Sequence, residues 1–328
     1  MDSLSRCLEE LVRIDSTTGK EQRIADYVEA KLAGFGLAVE RSENNIIAGT
    51  GSVMLAGHLD TVPPASLGQL IPKVANGRLQ GRGACDMKAG LAVMLELAQS
   101  ENATFVFYSG EEGPLPNGLN LLHEKGRLQA KLAVCLEPTN LQLQTACRGR
   151  LLTKVTVAGK AGHSSLGSQH NAIYRALELV AKARGLQPMV QAHGGALAVT
   201  GIESMGPSNA TPTACRILLD YRFPAGATMG EAETFLAHNI SAGMEFLDRA
   251  PAYSLPKNLS AAFAKHLGPA GVCPGWTDAA QLSGWGIPCA IFGPGKLELA
   301  HADDEHVVLK QLELACERLR PLLRSQFA

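Results

Sequence analysis

In the stretch TFVFYSGEEG, residues 104–113, an apolar run stops against two adjacent glutamates, Glu111 and Glu112. Phe105–Tyr108 reads as a buried strand and Ser109-Gly110 as its end. Two neighbouring carboxylates repel, and in a buried setting one of them holds a proton unless a cation is present. The same punctuation recurs along the chain. VMLAG (53–57) is a short apolar strand followed at once by His58-Leu59-Asp60, and KLAVCL (131–136) is followed by Glu137-Pro138. Helical segments fall between these strands, which is the pattern of an α/β sheet with parallel strands. Ligands of such sheets gather outside the carboxyl ends of the strands. Three strand ends carrying metal-competent side chains therefore form a pattern.

Working outward, Leu4, Leu8, Leu11 and Val12 recur at helical spacing and predict a first helix. TGKE (18–21) reads as a capping box for a second helix with Ile24, Tyr27, Val28 and Leu32 on its apolar face. GRGACDMKAG (81–90) is a glycine-rich loop opening a helix to about Gln99. It has no third glycine at dinucleotide spacing and no clear strand before it, so a nucleotide fingerprint does not fit. The middle of the chain changes character. Over residues 149–255 the order is strand, helix, strand, strand, helix, strand, a ferredoxin-like pattern. Its first helix is expected to put Ile173, Ala176, Leu177 and Val180 on one face, and TMGE (228–231) is a second capping box. PCAIFGPG (288–295) resumes the α/β pattern, and Val308, Leu312, Ala315, Leu319 and Leu322 mark a closing helix bent near Pro321. The expected fold is mixed α/β: a mostly parallel sheet flanked by helices over residues 1–148 and 256–328, with an inserted α+β domain at 149–255.

With 328 residues, 46% hydrophobic and 19% charged, the chain has an ordinary globular composition and is long enough for two domains. A net charge of −1 with scattered Lys and Arg gives no nucleic-acid stripe. No apolar run approaches a membrane span, and the amphipathic N-terminus is not a signal peptide. Eight dispersed cysteines without a CxxC pair read as reduced thiols of a cytoplasmic protein.

In an extended segment His58 and Asp60 point to the same side, so Asp60 is expected to accept the second ring N–H of a metal-binding His58. Asp86 by itself is a helix-capping residue. Glu111 and Glu112 leave their strand in different directions, so one can hold a cation while the other faces the reaction space. With Glu137 and His301 they complete two imidazoles and several carboxylates, the donor inventory of a two-metal site. Paired metals polarise a carbonyl and activate water at neutral pH.

GHLDTVP, GRGACDMKAG, SGEEG, LEPT, GHSS, WTDAAQLSGWGIP, FGPG and the later His301 resemble, in this order, the di-zinc aminoacylase/carboxypeptidase-type metallohydrolases. EEGPLPNGL, LEPTNLQLQTACRG and the segment from Gly275 to Val307 look most like the succinyl-diaminopimelate desuccinylases within that family. The resemblance implies two Zn²⁺ per subunit, replaceable by Co²⁺: His58 and Glu137 on one, Glu112 and His301 on the other, Asp86 bridging. It implies Asp60 as orienter of His58, Glu111 as general base, and His163 as an oxyanion stabiliser reaching a neighbouring subunit. Arg148, Asn209 and Arg222 would bind substrate carboxylates, and Thr277 and Gly293 would line the pocket. The inserted domain would be a lid and homodimerisation surface, and the substrate a small acylated amino acid. Departures around MGPSNATP (205–212) leave substrate choice open to acetylornithine deacetylase, carrier-protein amino-acid hydrolase, or dipeptidase or carboxypeptidase chemistry. A non-catalytic metal-binding homologue is the reading from a different class.

Overall fold

The computed structural model describes residues 2–113, 116–167, 169–204, 206–240 and 243–325. Pro114, Leu115 and Met205 of the quoted motifs lie outside these residues. Two compact units divide the chain: Met1–Thr145, Leu255–Gly271 and Gln281–Ala328 form one, and Ala146–Ser254 with Val272–Ala280 the other.

The first unit is built on a mixed sheet. In spatial order its strands include Val39–Ser42, Asn45–Ala48, Thr104–Tyr108, Val53–His58, Leu132–Cys135 and Cys289–Ile291. The last four of these run parallel, and antiparallel pairing begins on either side of them. Every residue of Val53–His58, Thr104–Tyr108 and Leu132–Cys135 is buried. Burial on both faces explains why these strands read as unbroken apolar runs without alternation. The main-chain ladder continues past the strand ends: Leu59 N donates to Tyr108 O, Leu136 N to Ala56 O and Phe292 N to Cys135 O. Those bonds fix the register of the residues that follow each strand.

Helix Lys88–Ala98 is buried along nearly its whole length, because helices Ser3–Arg13 and Lys310–Leu323 pack on it from outside. A helix apolar all round belongs in such an interior. Leu4, Leu8, Leu11 and Val12 are buried as their spacing predicts. The two capping boxes separate. Thr228 and Glu231 cap helix Met229–Ile240 reciprocally, Thr228 N donating to Glu231 Oε2 at 2.7 Å and Glu231 N to Thr228 Oγ1 at 3.3 Å. TGKE forms no such box: helix Gln22–Gly34 has no side-chain cap. Thr18 instead gives its hydroxyl to Asp60 at 2.8 Å and its main-chain N–H to Thr61 O. Donating the hydroxyl to a buried carboxylate is a charge-assisted bond, stronger than the cap bond in which the same oxygen would accept a solvated helix N–H. No described helix is long and apolar enough to cross a membrane.

The second unit carries a four-stranded antiparallel sheet in the order Ala196–Glu203, Ala214–Phe223, Gly149–Ala158, Gly243–Ala250. Helices Ala172–Ala192 and Met229–Ile240 complete the β-α-β-β-α-β order of a ferredoxin-like fold. Its core includes Leu151, Val155, Ile217, Leu219, Phe223 and Leu236. Helix Ala172–Ala192 departs from the expected face: Ala176 is buried and Val180 packs partly against the core, whereas Ile173 and Leu177 face outward, Leu177 being 52% exposed. The small residues Ala172, Ala176 and Ala183 seat the helix on the sheet, which turns the larger ones away.

Gly90 offers a check on this packing. In a free helix Gly→Ala is stabilising by about 1 kcal/mol. Here a Cβ at Gly90 runs into the carbonyl oxygen of Leu136, a rigid backbone atom. Gly90→Ala is therefore expected to destabilise, by about 1–3 kcal/mol as for overpacked cores. A urea midpoint that rises in the variant would contradict the close helix–sheet approach.

Candidate metal centre

Within the first unit, the parallel strands deliver their next residues to one place. His58 ends Val53–His58, Glu111 and Glu112 follow Thr104–Tyr108, and Glu137 follows Leu132–Cys135. Asp86 comes from the turn before helix Lys88–Ala98, across a cis Asp86–Met87 peptide. His301 comes from the loop beyond Cys289–Ile291, with a left-handed φ of 65°, a region where histidine is enriched among non-glycine residues.

Asp86 is at the centre. Its Oδ1 lies 3.2 Å from His58 Nε2, and its Oδ2 lies 3.6 Å from His301 Nε2. Glu137 Oε1 is 3.9 Å from His58 Nε2, and Glu112 Oε1 is 2.7 Å from His301 Nε2. Donor atoms of His58, Asp86 and Glu112 all fall within 4.8 Å of one another. Asp86 also lies within hydrogen-bond reach of the Glu137 carboxyl. Five of the predicted site residues thus converge, in the two pairs about Asp86 that the resemblance implies. Glu111, half-buried, is close enough for its charge to be felt at His58.

The tautomer of His58 follows from its partner. Nδ1 sits 2.9 Å from the main-chain oxygen of Asp60, and a carbonyl can only accept. Nδ1 therefore carries the hydrogen, and Nε2 is the atom that faces Asp86 and could coordinate a metal. This differs from the expected orienter, because the Asp60 carboxylate stands 3.7 Å from Nδ1. Its oxygens are taken by other donors: Oδ1 by Glu111 N at 3.1 Å, Oδ2 by Glu112 N at 2.9 Å and by the Thr18 hydroxyl at 2.8 Å. Asp60, fully buried, shapes the turn that carries the glutamate pair, and its backbone orients His58.

Charge at this place is one-sided. Burial opposes a proton on His58, but the hydrogen bond to Asp86 and the charges of Glu137 and Glu111 raise its pKa well above the ordinary imidazole value. His301 is raised by its hydrogen bond to Glu112, against partial burial. Burial would raise Asp86, yet the hydrogen bond and charge of His58 and the charge of His301 lower it. Carboxylates that hold protons on two imidazoles form a site with surplus negative charge, which a cation relieves. The donors are nitrogen and oxygen only, one carboxylate presents an oxygen to each histidine, and such a set fits a pair of borderline divalent ions.

Gly293 lies beside this centre. Its N–H donates to Thr139 Oγ1 at 3.1 Å, and its Cα faces the carbonyls of Leu136 and Glu137 so closely that a Cβ would strike them. The other predicted residues belong to the second unit. His163 is exposed, its Nδ1 2.8 Å from Ser165 Oγ, and it bridges Ala210 next to exposed Asn209. Arg148 Nε donates to Gly194 O at 2.7 Å, and Arg222 forks onto Asp220 at 2.8 and 3.3 Å. Thr277 is buried, and its hydroxyl has no hydrogen-bond partner among the described residues. Thr18 escaped the sequence reading because its spacing to Glu21 imitates a helix cap.

Known proteins bear on these observations. A family model described as peptidase family M20/M25/M40 matches residues 54–325. The chain is 34% identical to a putative succinyl-diaminopimelate desuccinylase of Mycobacterium tuberculosis, over 95% of this chain and 96% of that protein. It is 31% identical to a succinyl-diaminopimelate desuccinylase of Corynebacterium glutamicum, over 92% of this chain and 91% of that protein. In fold it is similar to a tripeptidase of Staphylococcus aureus, with a TM-score of 0.78 and 21% identity over 98% of this chain and 97% of that one.

The Asp60 geometry makes a specific demand. In Asp60→Asn the amide NH₂ must replace one acceptor oxygen and face a main-chain or hydroxyl donor. Leaving a buried donor unmet costs about 1–3 kcal/mol. Urea unfolding of the chelator-treated protein should show that loss, and an unchanged midpoint would show that these bonds do not hold the Glu111–Glu112 turn.

Proposed function

The chain is a hydrolase of peptidase family M20/M25/M40, and from that premise we propose that it removes the succinyl group from N-succinyl-LL-2,6-diaminopimelate, releasing succinate and LL-2,6-diaminopimelate for lysine and peptidoglycan synthesis in the cytoplasm. The observation that carries the substrate reading is the near full-length 34% identity to the mycobacterial protein of that name. The metal centre carries the chemistry.

In this reading residues 1–148 and 256–328 are the catalytic domain and 149–255 the lid and dimerisation domain. His58 and Glu137 would hold one Zn²⁺ and Glu112 and His301 the other, with Asp86 shared between them, and Co²⁺ would substitute. When bound, the metals polarise the scissile carbonyl and lower the pKa of water toward neutrality. Glu111 takes the proton from the attacking water and returns it to the departing amine, so that the amide C–N bond breaks and a carboxylate and an amine leave. Asp60 keeps Glu111 and Glu112 in their separate directions through their main-chain N–H groups. His163, exposed in its own chain, donates to the tetrahedral oxyanion in the neighbouring subunit. Arg148, Asn209 and Arg222 bind substrate carboxylates, and Thr277 and Gly293 line the pocket.

The surface of the second unit supports a homodimer. Strand Ala196–Glu203 is an edge of its sheet, with Val199 and Ile202 exposed. Helix Ala172–Ala192 exposes Ile173, Tyr174 and Leu177. An edge with unpaired main-chain groups beside exposed apolar side chains is a template for pairing with a second copy.

The purified protein, loaded with zinc, should hydrolyse the succinylated diamino acid in preference to N-acetylornithine and dipeptides. A chelator should abolish turnover, and zinc or cobalt should restore it. Glu111→Gln should retain metal and lose roughly 10²–10⁴-fold in kcat, the range of general acid–base catalysis. Preference for the acetyl substrate would move the reading to a deacetylase, and full turnover in Glu111→Gln would remove the base from that position.

The double variant Tyr174→Glu, Leu177→Glu should sediment as a monomer while the parent sediments as a dimer. A parent that is monomeric at micromolar concentration would refute the dimer.

A further inference from the structure

Glu305 stands four residues beyond His301, in the acidic run HADDE (301–305). It is 1% exposed, and its charge partner Arg82 is 3% exposed. Arg82 NH1 donates to Glu305 Oε2 at 2.7 Å, while Glu305 Oε1 accepts from Cys85 N at 3.0 Å and Asp86 N at 3.1 Å. The guanidinium also reaches the main-chain oxygen of His301 at 3.4 Å and Gln69 Oε1 at 3.4 Å. Gly81 N donates to the main-chain oxygen of Glu305 at 3.0 Å. Residues 81–86 and 301–305 are therefore stitched together by one buried ion pair and its flanking bonds.

Each end of that stitch carries a candidate ligand. One segment holds Asp86, the residue that faces both histidines, and the other holds His301 in a left-handed backbone conformation. Neither segment is a strand or helix where those ligands sit, so regular secondary structure does not fix their separation. We propose that the buried Glu305–Arg82 pair is the positioning device that holds Asp86 and His301 at coordinating distance before metal arrives. The inference rests on the metal-centre reading above. Partners beyond the ligand shell that orient it commonly set metal affinity by about 10–100-fold.

Glu305 does two separable things: its charge pairs with Arg82, and its oxygen takes two N–H groups from the Asp86 turn. Gln at this position keeps an acceptor oxygen and loses the charge, and Ala loses both. Arg82→Lys keeps the positive charge and loses the planar fork that also reaches His301. A fitting comparator is Glu101, also buried and paired with Arg324 and Arg320 on and beside the closing helix.

The test is cobalt titration of the chelator-stripped full chain, read by calorimetry and by the visible d–d spectrum, with thermal melting of the same samples without metal. The parent should bind two cobalt ions. Glu305→Gln and Arg82→Lys should each weaken binding about 10–100-fold and alter the spectrum, and Glu305→Ala should weaken it further. Glu101→Gln should lower the melting temperature with parental cobalt affinity and spectrum. Parental affinity and spectrum in both Glu305→Gln and Arg82→Lys, whatever their melting temperatures, would reduce the pair to a structural one and overturn the inference. A parent that binds no cobalt pair would instead overturn the metal-centre reading, and this inference with it. Should Glu305→Gln fail to fold, Arg82→Lys decides alone.

Discussion

The mutual repulsion of carboxylates is the constraint on which the first unit depends. Asp86 and Glu137 lie within hydrogen-bond reach of each other, Glu112 is on the same side, and Glu111 acts on His58 through its charge. Left alone, such a cluster takes up protons or flies apart. A scaffold that holds it must be stiffer than the repulsion, and stiffness here comes from parallel strands buried on both faces. Their ladder bonds extend one residue past the strand ends, so the residues that carry charge start from fixed backbone. The same arrangement leaves surplus negative charge at a single spot, and divalent cations are the neutralising partners that nitrogen and oxygen donors favour.

The loops beyond the strands use one device twice. A buried carboxylate outside the proposed ligand set accepts from two consecutive main-chain N–H groups of a ligand-bearing turn. Asp60 does this for Glu111 and Glu112, and Glu305 does it for Cys85 and Asp86. Holding a turn by its backbone leaves the side chains of that turn free to point at the metal. A carboxylate suits this task because it only accepts when ionised, so no rotation of it can present a donor to the N–H groups. Each such carboxylate also takes a further stabilising contact in the interior, from the Thr18 hydroxyl in one case and from Arg82 in the other.

The same division of labour sets what can be read from sequence. Strand ends are legible because burial on both faces leaves an uninterrupted apolar run and the next polar residue marks its end. His58, Glu112 and Glu137 are visible for that reason. Asp86 and His301 sit in loops, where local pattern carries no position, and only the ordered set of motifs points to them. Asp60 is visible as a partner of His58 through period-two geometry, yet the chain turns after His58 and hands that contact to the main-chain oxygen. Thr18 mimics a helix cap at TGKE, while the identical spacing at TMGE is a genuine cap; the difference lies in a tertiary acceptor 42 residues away. Ile173 and Leu177 fit a buried helical stripe by periodicity, and the alanines at 172, 176 and 183 give the true seat because close helix–sheet approach selects small side chains.

The metal centre is indifferent to what lies beyond the carbonyl it acts on, so the choice of acyl group must come from cations elsewhere. A succinyl group differs from an acetyl group by a distal carboxylate, which calls for an arginine or lysine with uncommitted donors. The two arginines proposed for this task are unequal. Arg222 already commits its fork to Asp220, a carboxylate that Arg150 also contacts. A substrate carboxylate would have to displace that ion pair or share it, bringing a second negative charge beside Asp220. Arg148 gives only its Nε–H, to Gly194 O, and its terminal nitrogens have no partner among the described residues. The Arg222–Asp220 pair is mostly buried, its side chains 30% and 13% exposed, so exchanging it costs more than exchanging a surface pair, and its residual charge is smaller. On electrostatic grounds Arg148 is the stronger candidate for recognising a distal carboxylate, and Arg222 for a carboxylate that carries an ammonium beside it, as the amino-acid end of a diamino acid does, because Asp220 tolerates that group.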